Sequence, residues 1–300
     1  MKYKTGDWVE VRSKEEILAT LDKNGRLEGL PFMPQMFQYC GKRFQVYKRA
    51  HKTCDTVNQT GGRRLSNAVH LDTRCDGVAY GGCQAACLIF WKNSWLMPVD
   101  NKGKMNVHEG LSLQPELSAN NQSVPISRCT EADVWAGTHA VDGDKAEQPR
   151  YVCQATQLPY FTTFLPWWDI RQYWEDYVSK NATLGRILSG FIYAGYYKLA
   201  GRRRLGRPFR WIYDKIAALW GGAPFPRKAG VIPAGQATPA GNLNLQPGDL
   251  VRVKSYNEIL KTITADGKNR GLSFDAELVP YCGGVYRVRT RVNRFIDEKT

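Results

Sequence analysis

The sequence lacks a secretory signal, a membrane-spanning segment and the motifs of the common enzyme classes. The N-terminus, MKYKTGDWVEVRSKEE, has no apolar segment behind its basic residues, which predicts no secretory signal. The apolar stretch ILSGFIYAGYY, between Arg186 and Lys198, has only eleven residues, whereas a membrane-spanning helix needs about 20. No HExxH, GxSxG, Walker or GxGxxG motif is present, so no standard hydrolase, kinase or dinucleotide site is indicated. We therefore expect a cytoplasmic protein.

Composition and charge narrow the class of protein further. At 300 residues the chain has room for roughly two domains. An aromatic content of 12% and a hydrophobic content of 43% exclude a disordered chain. The formal net charge of +14 favours an acidic partner, which means nucleic acid, anionic lipid or an acidic protein. Eight cysteines in a reducing compartment indicate metal binding or plain burial rather than disulfides.

An internal repeat organises the chain. Residues 6–58 align without a gap with residues 248–300, so that Gly6 matches Gly248 and Cys40 matches Cys282. Such similarity is the mark of a duplicated module. The stretch DWVEVR alternates apolar and polar residues, as a half-buried strand does, and Ser13 with Glu16 forms a capping box that predicts a short helix.

The pattern of the repeat resembles a known small fold. A unit of about 50 residues that opens with G-D-x-V-x-V and returns through G-x-x-[FY]-x-V looks like an SH3-like barrel. The path GLPFMPQMFQYCGKRFQV also resembles a turn in the barrel of nitrile hydratase beta subunits, a likeness of fold only. The sequence therefore predicts an α+β protein in which two SH3-like small β-barrel modules flank an irregular region and an α-helical segment.

The chain as a whole resembles an uncharacterised bacterial family of duplicated, cysteine-containing proteins. The resemblance rests on KTCDTV, RCDG, GGCQAAC, YVCQAT and LQPGDLVRVKS. In that family the second module continues into cysteines of its own, so the resemblance implies a C-terminal truncation of this chain. It implies no activity.

Five segments follow from these patterns. The helices of the third are predicted from the stretches WWDIRQYWEDYVSK, TLGRILSGFIYAGYYKLA and PFRWIYDKIAALW, with Thr183 as an N-cap and Pro208 at a helix start. The predicted segments are an SH3-like module with a cysteine-rich extension (1–100), an irregular polar region (101–158), a basic aromatic helical segment (159–221), a Gly/Pro/Ala-rich linker (222–247) and a second, truncated module (248–300).

The cysteines of the first module are the candidate metal ligands. Cys83 and Cys87 stand four residues apart, so a helix over CQAACLIFW would place both on one face, and Gly81-Gly82 would let the chain fold back towards Cys75. Together with Cys54, four thiolates would suit zinc or an iron–sulfur cluster. Paired C-x2-C knuckles are missing, so burial as core thiols remains an alternative.

Other residues are secondary candidates at this site. His70, Cys129 and Cys153 are possible additional ligands, although a half-buried strand histidine and an unrelated cysteine pair are also consistent with the pattern. Cys40 and Cys282 occupy the same place in both modules, which favours a packing role for both.

The positive charge is concentrated in the helical segment. Ten Lys or Arg residues lie between Arg186 and Lys228, against the single acid Asp214. An apolar helix of this kind is either buried or lies at a membrane interface with its basic residues on anionic lipid. The candidate residues for binding an acidic surface are Arg202, Arg203, Arg204, Arg207 and Arg210.

These features predict a metal-binding accessory protein that docks on an acidic surface through its helical segment. The surface is an anionic membrane or an acidic protein rather than nucleic acid, and the location is cytoplasmic or peripheral on the inner face of the membrane. Two alternatives remain: an iron–sulfur or zinc enzyme that uses the cysteine cluster, and a nucleic-acid-binding regulator whose affinity falls steeply with salt.

Overall fold

The structure is a computed structural model that describes residues 2–99, 129–140, 149–200, 206–219, 223–226 and 228–299. It divides into two compact units. Unit 1 comprises Met1–Ile187 together with Asn293–Thr300, and unit 2 comprises Leu188–Val292. Each unit contains one copy of the core of the internal repeat.

Unit 1 is built on an antiparallel sheet. Its five strands pair in the order β8-β7-β4-β1-β9 and form a curled, half-barrel surface, while β10, β6 and β5 form a second, small sheet. The elements are β1 (Trp8–Val11), α1 (Lys14–Leu18), β2 (Arg26–Leu27), β3 (Leu30–Pro31), a 3-10 helix (Pro34–Tyr39), β4 (Arg43–Arg49), β5 (Lys52–Cys54), β6 (Gly62–Arg64), β7 (Ala68–Arg74), β8 (Leu88–Lys92), a 3-10 helix (Asn93–Trp95), β9 (Leu96–Pro98), α2 (Glu131–Ala136), α3 (Leu158–Phe161), β10 (Thr163–Phe164) and α4 (Arg171–Val178).

The alternating pattern of DWVEVR determines the core of this unit. Val9 and Val11 are fully buried on one face of β1, whereas Trp8 on the other face is exposed. Trp91 and Trp95, from the chain that follows the repeat, are also fully buried in the same core. Burial of this apolar area is the main stabilisation of the sheet.

Unit 2 contains helices and the second copy of the repeat. Its buried apolar cluster consists of Tyr256, Leu260, Ile263 and Val279, which is far smaller than the core of unit 1. The elements are α5 (Leu184–Ala200, which starts in unit 1), α6 (Gly206–Leu219), β11 (Leu250–Arg252), α7 (Tyr256–Leu260), β12 (Lys268–Asn269), β13 (Leu272–Ser273), a 3-10 helix (Ala276–Tyr281) and β14 (Val285–Arg287).

The two copies of the repeat have the same order of elements, which confirms the repeat in the structure. β1, α1, β2, β3, a 3-10 helix and β4 recur as β11, α7, β12, β13, a 3-10 helix and β14. Both short helices begin with the expected capping box, Ser13 with Glu16 and Ser255 with Glu258. Gly25 and Gly267 adopt positive φ angles of 69° and 81° at the same turn, a conformation that favours glycine. The mixed α+β class is confirmed as well.

The predicted helices in the third segment are present as α4, α5 and α6. In the preceding segment, residues 101–128 and 141–148 lie outside the described residues, but Glu131–Ala136 form α2 where the sequence predicts irregular structure. This corrects the prediction at those residues: Thr130 and Asp133 make a capping box, and Val134 packs into the core of unit 1. The five predicted segments stay predictions as domains.

Candidate functional site

A cavity of about 250 Å³ in unit 1 collects most of the cysteines. Its lining is largely apolar and includes Met33, Leu88, Phe90 and Leu158. Five of the eight cysteines line it: Cys54, Cys75, Cys83, Cys87 and Cys153. The four cysteines that the sequence singles out therefore line one cavity, together with Cys153.

The loop between β7 and β8 carries three of these thiols. Cys75 directly follows β7, and its N–H donates to the carbonyl of Cys87 at 2.9 Å, which closes the loop. Gly77 has a φ of 72°, and a Cβ there would lie 1.9 Å from the carbonyl oxygen of Cys83. The loop can fold back on itself in this way only because residue 77 is a glycine.

The condition for placing Cys83 and Cys87 on one helix face, a helix over CQAACLIFW, is not met. Residues 83–87 form neither helix nor strand, and Leu88–Lys92 form β8. The physical reason is sheet pairing, since β8 pairs antiparallel with β7 and places Trp91 opposite Val69. Cys83 and Cys87 therefore line the cavity from a loop and not from one face of a helix.

Burial raises the pKa of three of the cavity thiols, those of Cys75, Cys87 and Cys153, and so favours their protonated form. Burial, with smaller contributions from Cys153 and Cys87, raises the pKa of Cys75 from 9.0 to about 12. Burial likewise raises the pKa of Cys87 to about 11 and raises the pKa of Cys153. Because a thiolate and not a thiol is the nucleophile, the arrangement does not resemble an activated catalytic cysteine.

Hydrogen bonds hold two of the sulfur atoms in place. The side-chain amide of Gln35 donates to Sγ of Cys75 at 3.0 Å, and the N–H of Ile296 donates to Sγ of Cys83 at 3.4 Å. Among the residues that the structure describes, no three Cys, His, Asp or Glu side chains lie close enough together to hold a metal ion. Cys54, at the end of β5, is exposed.

The additional candidates separate into two groups. Cys153 and His70 line the cavity, whereas Cys129 is buried elsewhere, next to the N-terminus of α2. Nδ1 of His70 lies 2.8 Å from the carbonyl oxygen of Ile89, a geometry in which Nδ1 carries the proton. Burial lowers the pKa of His70, so this histidine is neutral at pH 7. Cys40 and Cys282 each pack beside the core of their own repeat.

A buried glutamine positions Cys153, and no pattern in the sequence indicates this glutamine. The Gln154 side chain donates to the carbonyl oxygens of Pro31 and Phe90, both at 3.0 Å, and accepts from the N–H of Phe90 at 2.8 Å. These bonds attach the segment around Cys153 to β3 and β8. Since Gln154 is one of many uncharged polar residues in the sequence, only its tertiary environment identifies it.

The end of the second repeat forms one wall of the cavity. The N–H of Gln84 donates to the carbonyl of Arg294 at 2.9 Å, and the Arg294 guanidinium donates to the carbonyl of Gly81 at 2.9 Å. Ile296 and Glu298 line the cavity. In the repeat alignment Ile296 matches Cys54, so the corresponding stretches of both copies meet at this cavity.

The basic candidates are only partly described. Arg202, Arg203 and Arg204 lie outside the described residues. Arg207 is exposed on α6, and the guanidinium of Arg210 donates to the carbonyl of Ala200 at 3.3 Å. None of the helices in the described part of the chain is both long enough and apolar enough to cross a membrane.

Comparison with known proteins identifies no relative: no family model matches the chain, and neither a curated protein nor a solved structure is significantly similar to it.

Proposed function

We propose that this protein is an accessory protein that docks peripherally on an anionic membrane through α5 and α6. The observation that supports the proposal is the exposure of apolar side chains along the outer faces of these two helices. On α5, Leu188 and Ile192 are 62% and 65% exposed, and on α6, Ile212 and Ile216 are 42% and 56% exposed. Residues four apart share a helix face, so each helix presents an apolar stripe.

The inner faces of the same helices are occupied by aromatic packing. Tyr196 contacts Phe209 and Tyr213 at ring-centroid distances of 5.8 and 6.0 Å. Tyr193 also contacts Tyr213 at 6.5 Å. Because the aromatic faces pair with each other, the outer apolar stripes are the faces available to a further surface.

The charges on α6 suit an anionic surface. Arg207 and Lys215 are exposed, and Lys215 lies 5.8 Å from the ring centre of Trp211. The single acid of α6, Asp214, pairs with Lys228 at 2.6 Å and accepts the N–H of Phe225 at 2.7 Å. Its negative charge is therefore compensated internally, and each basic residue near anionic lipid contributes about 1 kcal/mol of attraction.

A second aromatic surface, in unit 1, supports the same proposal independently. Trp167, Trp168 and Trp174 are each 64% exposed, and Ile170 between them is 78% exposed. Tryptophan is enriched at the level of lipid headgroups because its ring is apolar and its N–H is polar. Exposed apolar surface of this kind marks an interaction site.

Vesicle flotation tests the membrane proposal. We expect the protein to float with vesicles that contain phosphatidylglycerol and to bind pure phosphatidylcholine more weakly. The double variant Arg207→Gln/Lys215→Gln should weaken binding to anionic vesicles by about 30-fold, from about 2 kcal/mol of lost attraction. Ile212→Glu/Ile216→Glu should abolish it, whereas Leu243→Glu, an exposed apolar residue in the linker, is the matched control.

The contrary outcomes distinguish the alternatives. Absence of binding to anionic vesicles contradicts the proposal. Tight binding to polyglutamate that the double variant loses points to an acidic protein, and binding to duplex DNA that falls steeply with salt points to nucleic acid.

We propose as a second function that the cysteine-lined cavity binds zinc or an iron–sulfur cluster. Its support is that one cavity is lined by five cysteines, Cys54, Cys75, Cys83, Cys87 and Cys153. Sharing one ion would require movement of the loop between Cys75 and Cys87, which contains no helix or strand. Sulfur ligands are those that zinc and iron–sulfur clusters prefer.

Metal analysis with an absorption spectrum, on protein purified anaerobically, tests this second function. About one zinc per chain, or iron with a broad band near about 400 nm, should be found in the wild type and in Cys129→Ser. The metal should be lost in Cys83→Ser/Cys87→Ser. Metal-free wild-type protein contradicts the proposal and leaves the cysteines as core thiols.

We also propose that both copies of the repeat are SH3-like modules. In each, the first and last strands pair antiparallel, and a short 3-10 helix precedes the last strand. An experimental structure of the full chain tests this, and a first-copy sheet that stays open between β8 and β9 contradicts it.

A further inference from the structure

The two copies of the repeat have apolar residues at the same positions, but these residues are buried in the first copy and exposed in the second. In the first copy, Leu30 and Met36 are fully buried. Their counterparts in the second copy, Leu272 and Leu278, are 76% and 44% exposed. The same positions of the same fold are therefore core in one copy and surface in the other.

The cover of the first copy comes from the chain that follows it. β7 pairs antiparallel with the outer edge of β4, with Leu71 opposite Val46, and β9 pairs with the outer edge of β1. Leu71 and Trp95 are fully buried. The Trp95 ring also lies edge-on to Phe32, with centroids 5.2 Å apart. Residues 68–98 thus supply the edge strands and several of the apolar side chains that complete the core. Residues 129–140 and 149–161 complete it around Leu30 and Met36, since α3 packs against β3 and Nε2 of Gln154 lies 3.7 Å from Sδ of Met36.

The second copy has no such cover among the described residues. Its sheet contains only β11 and β14, and β14 is three residues long where β4 has seven. Val288 exchanges hydrogen bonds with the β11 side, since its N–H donates to Asp249 and its carbonyl accepts from Gly248, both at 2.8 Å. Backbone groups alternate in direction along a strand, so the N–H of Arg289 points to the opposite edge, where β7 lies in the first copy.

We propose that the second repeat is a docking site for an extended apolar segment of a partner protein, which adds a strand beside β14 and covers Leu272 and Leu278. A two-stranded sheet is marginally stable alone, and an unpaired edge is a template for a further strand. The required segment has the chemistry of β7, with apolar residues at alternate positions such as Val69 and Leu71. The inference stands apart from the membrane and metal proposals.

Two observations favour a strand from a different protein. A helix could cover the apolar face, but it would leave the edge of β14 unpaired. A second copy of this chain has its own β7 and β8 in place, with Val69 and Trp91 fully buried, so those strands are not free to be donated. Addition of a strand to an exposed sheet edge is a common mode of peptide recognition.

The test uses the cover of the first copy as the probe. A fluorescent peptide with the sequence of residues 67–99, with its cysteines replaced by serine, is titrated with the full chain, and binding is read by anisotropy. We expect 1:1 binding and slower amide exchange over residues 285–291. Leu272→Asp and Arg289→Pro should each weaken binding at least about tenfold, because one puts a charge on the covered face and the other removes an edge donor.

Control variants keep the outcome interpretable. Leu243→Asp changes a leucine of unit 2 that is exposed and belongs to no strand, and this variant should bind as the wild type does. Unchanged amide exchange in α7 shows that the second copy is still folded in the two test variants. Failure of the peptide to bind, or equal binding by all three variants, overturns the proposal. A concentration-dependent dimer that Leu272→Asp dissociates overturns it in favour of self-association.

Discussion

The matched leucines of the repeat give a quantitative prediction about stability. Leu30 and Leu272 occupy the same position after the turn between the short strands of each copy, but Leu30 is fully buried and Leu272 is 76% exposed. Leu30→Ala removes buried methyl groups and leaves a cavity, which costs about 2–5 kcal/mol. Leu272→Ala removes groups that already face solvent, so its cost should stay within about 0.5 kcal/mol.

Native-state hydrogen exchange measures both effects in the intact chain. The amides of β1 and β4 report the opening free energy of the first copy, and those of β11 and β14 report that of the second. Tryptophan fluorescence is less suitable, because seven of the nine tryptophans lie in residues 1–187. We expect Leu30→Ala to lower the opening free energy of β1 by about 2–5 kcal/mol.

Two outcomes would refute the reasoning. Similar losses in the two copies would mean that exposure does not separate them. A loss above about 2 kcal/mol for Leu272→Ala would mean that this leucine is covered in the isolated protein. Leu243→Ala, at an exposed site in unit 2, sets the baseline for an uncovered leucine.

Three further predictions follow from buried polar and ionisable groups. The pKa of Cys75 is raised from 9.0 to about 12, so at pH 8 this thiol should react with an aromatic disulfide reagent roughly 50-fold more slowly than an unburied thiol does. Mass spectrometry should show that Cys54 is modified first. Modification of Cys75 before Cys54 would contradict the buried position of Cys75. Gln154→Met should destabilise unit 1 by about 2–3 kcal/mol in urea unfolding, because backbone groups of β3 and β8 lose their partners; an unchanged midpoint would contradict this. Burial lowers the pKa of His51 below its ordinary 6.5, because the effect of burial outweighs that of the nearby Asp176. Folding therefore favours the neutral form, so the free energy of unfolding should fall as the pH drops below about 6.5. The fall should be smaller in His51→Gln.

Much of the fold could be predicted from the sequence because its signals are local. The alternation in DWVEVR and the capping boxes at Ser13 and Ser255 depend on neighbouring residues only, and the structure has the expected strands and helices there. The repeat alignment extended these predictions to the second copy. The start of α5 also follows from nearby residues, since the Thr183 hydroxyl accepts the N–H of Arg186, whereas α6 begins at Gly206, two residues before the predicted start at Pro208.

The site was harder to predict because it is assembled by tertiary contacts. The spacing of Cys83 and Cys87 fits a helix face, but pairing of β8 with β7 competes with the helix and is favoured instead. Nothing near Cys153 in the sequence shows that it lines the same cavity, and nothing near Ile296 shows that it forms the wall. From the sequence alone the apolar helices could be buried or exposed, and the folded structure shows that apolar side chains of α5 and α6 are exposed.

The position of residues 293–299 constrains the order in which this protein can be completed during synthesis. These residues follow unit 2 in the chain and are translated after it, and yet they bond to the loop that carries Cys83. Domains generally fold as they emerge, from the N-terminus onwards, so the core around Trp91 can form early while the cavity lacks one wall. Until unit 2 has been translated, the wall formed by residues 293–299 is missing and the thiols of that loop are more open to solvent. A metal ion or a thiol reagent has its easiest access to them during that time.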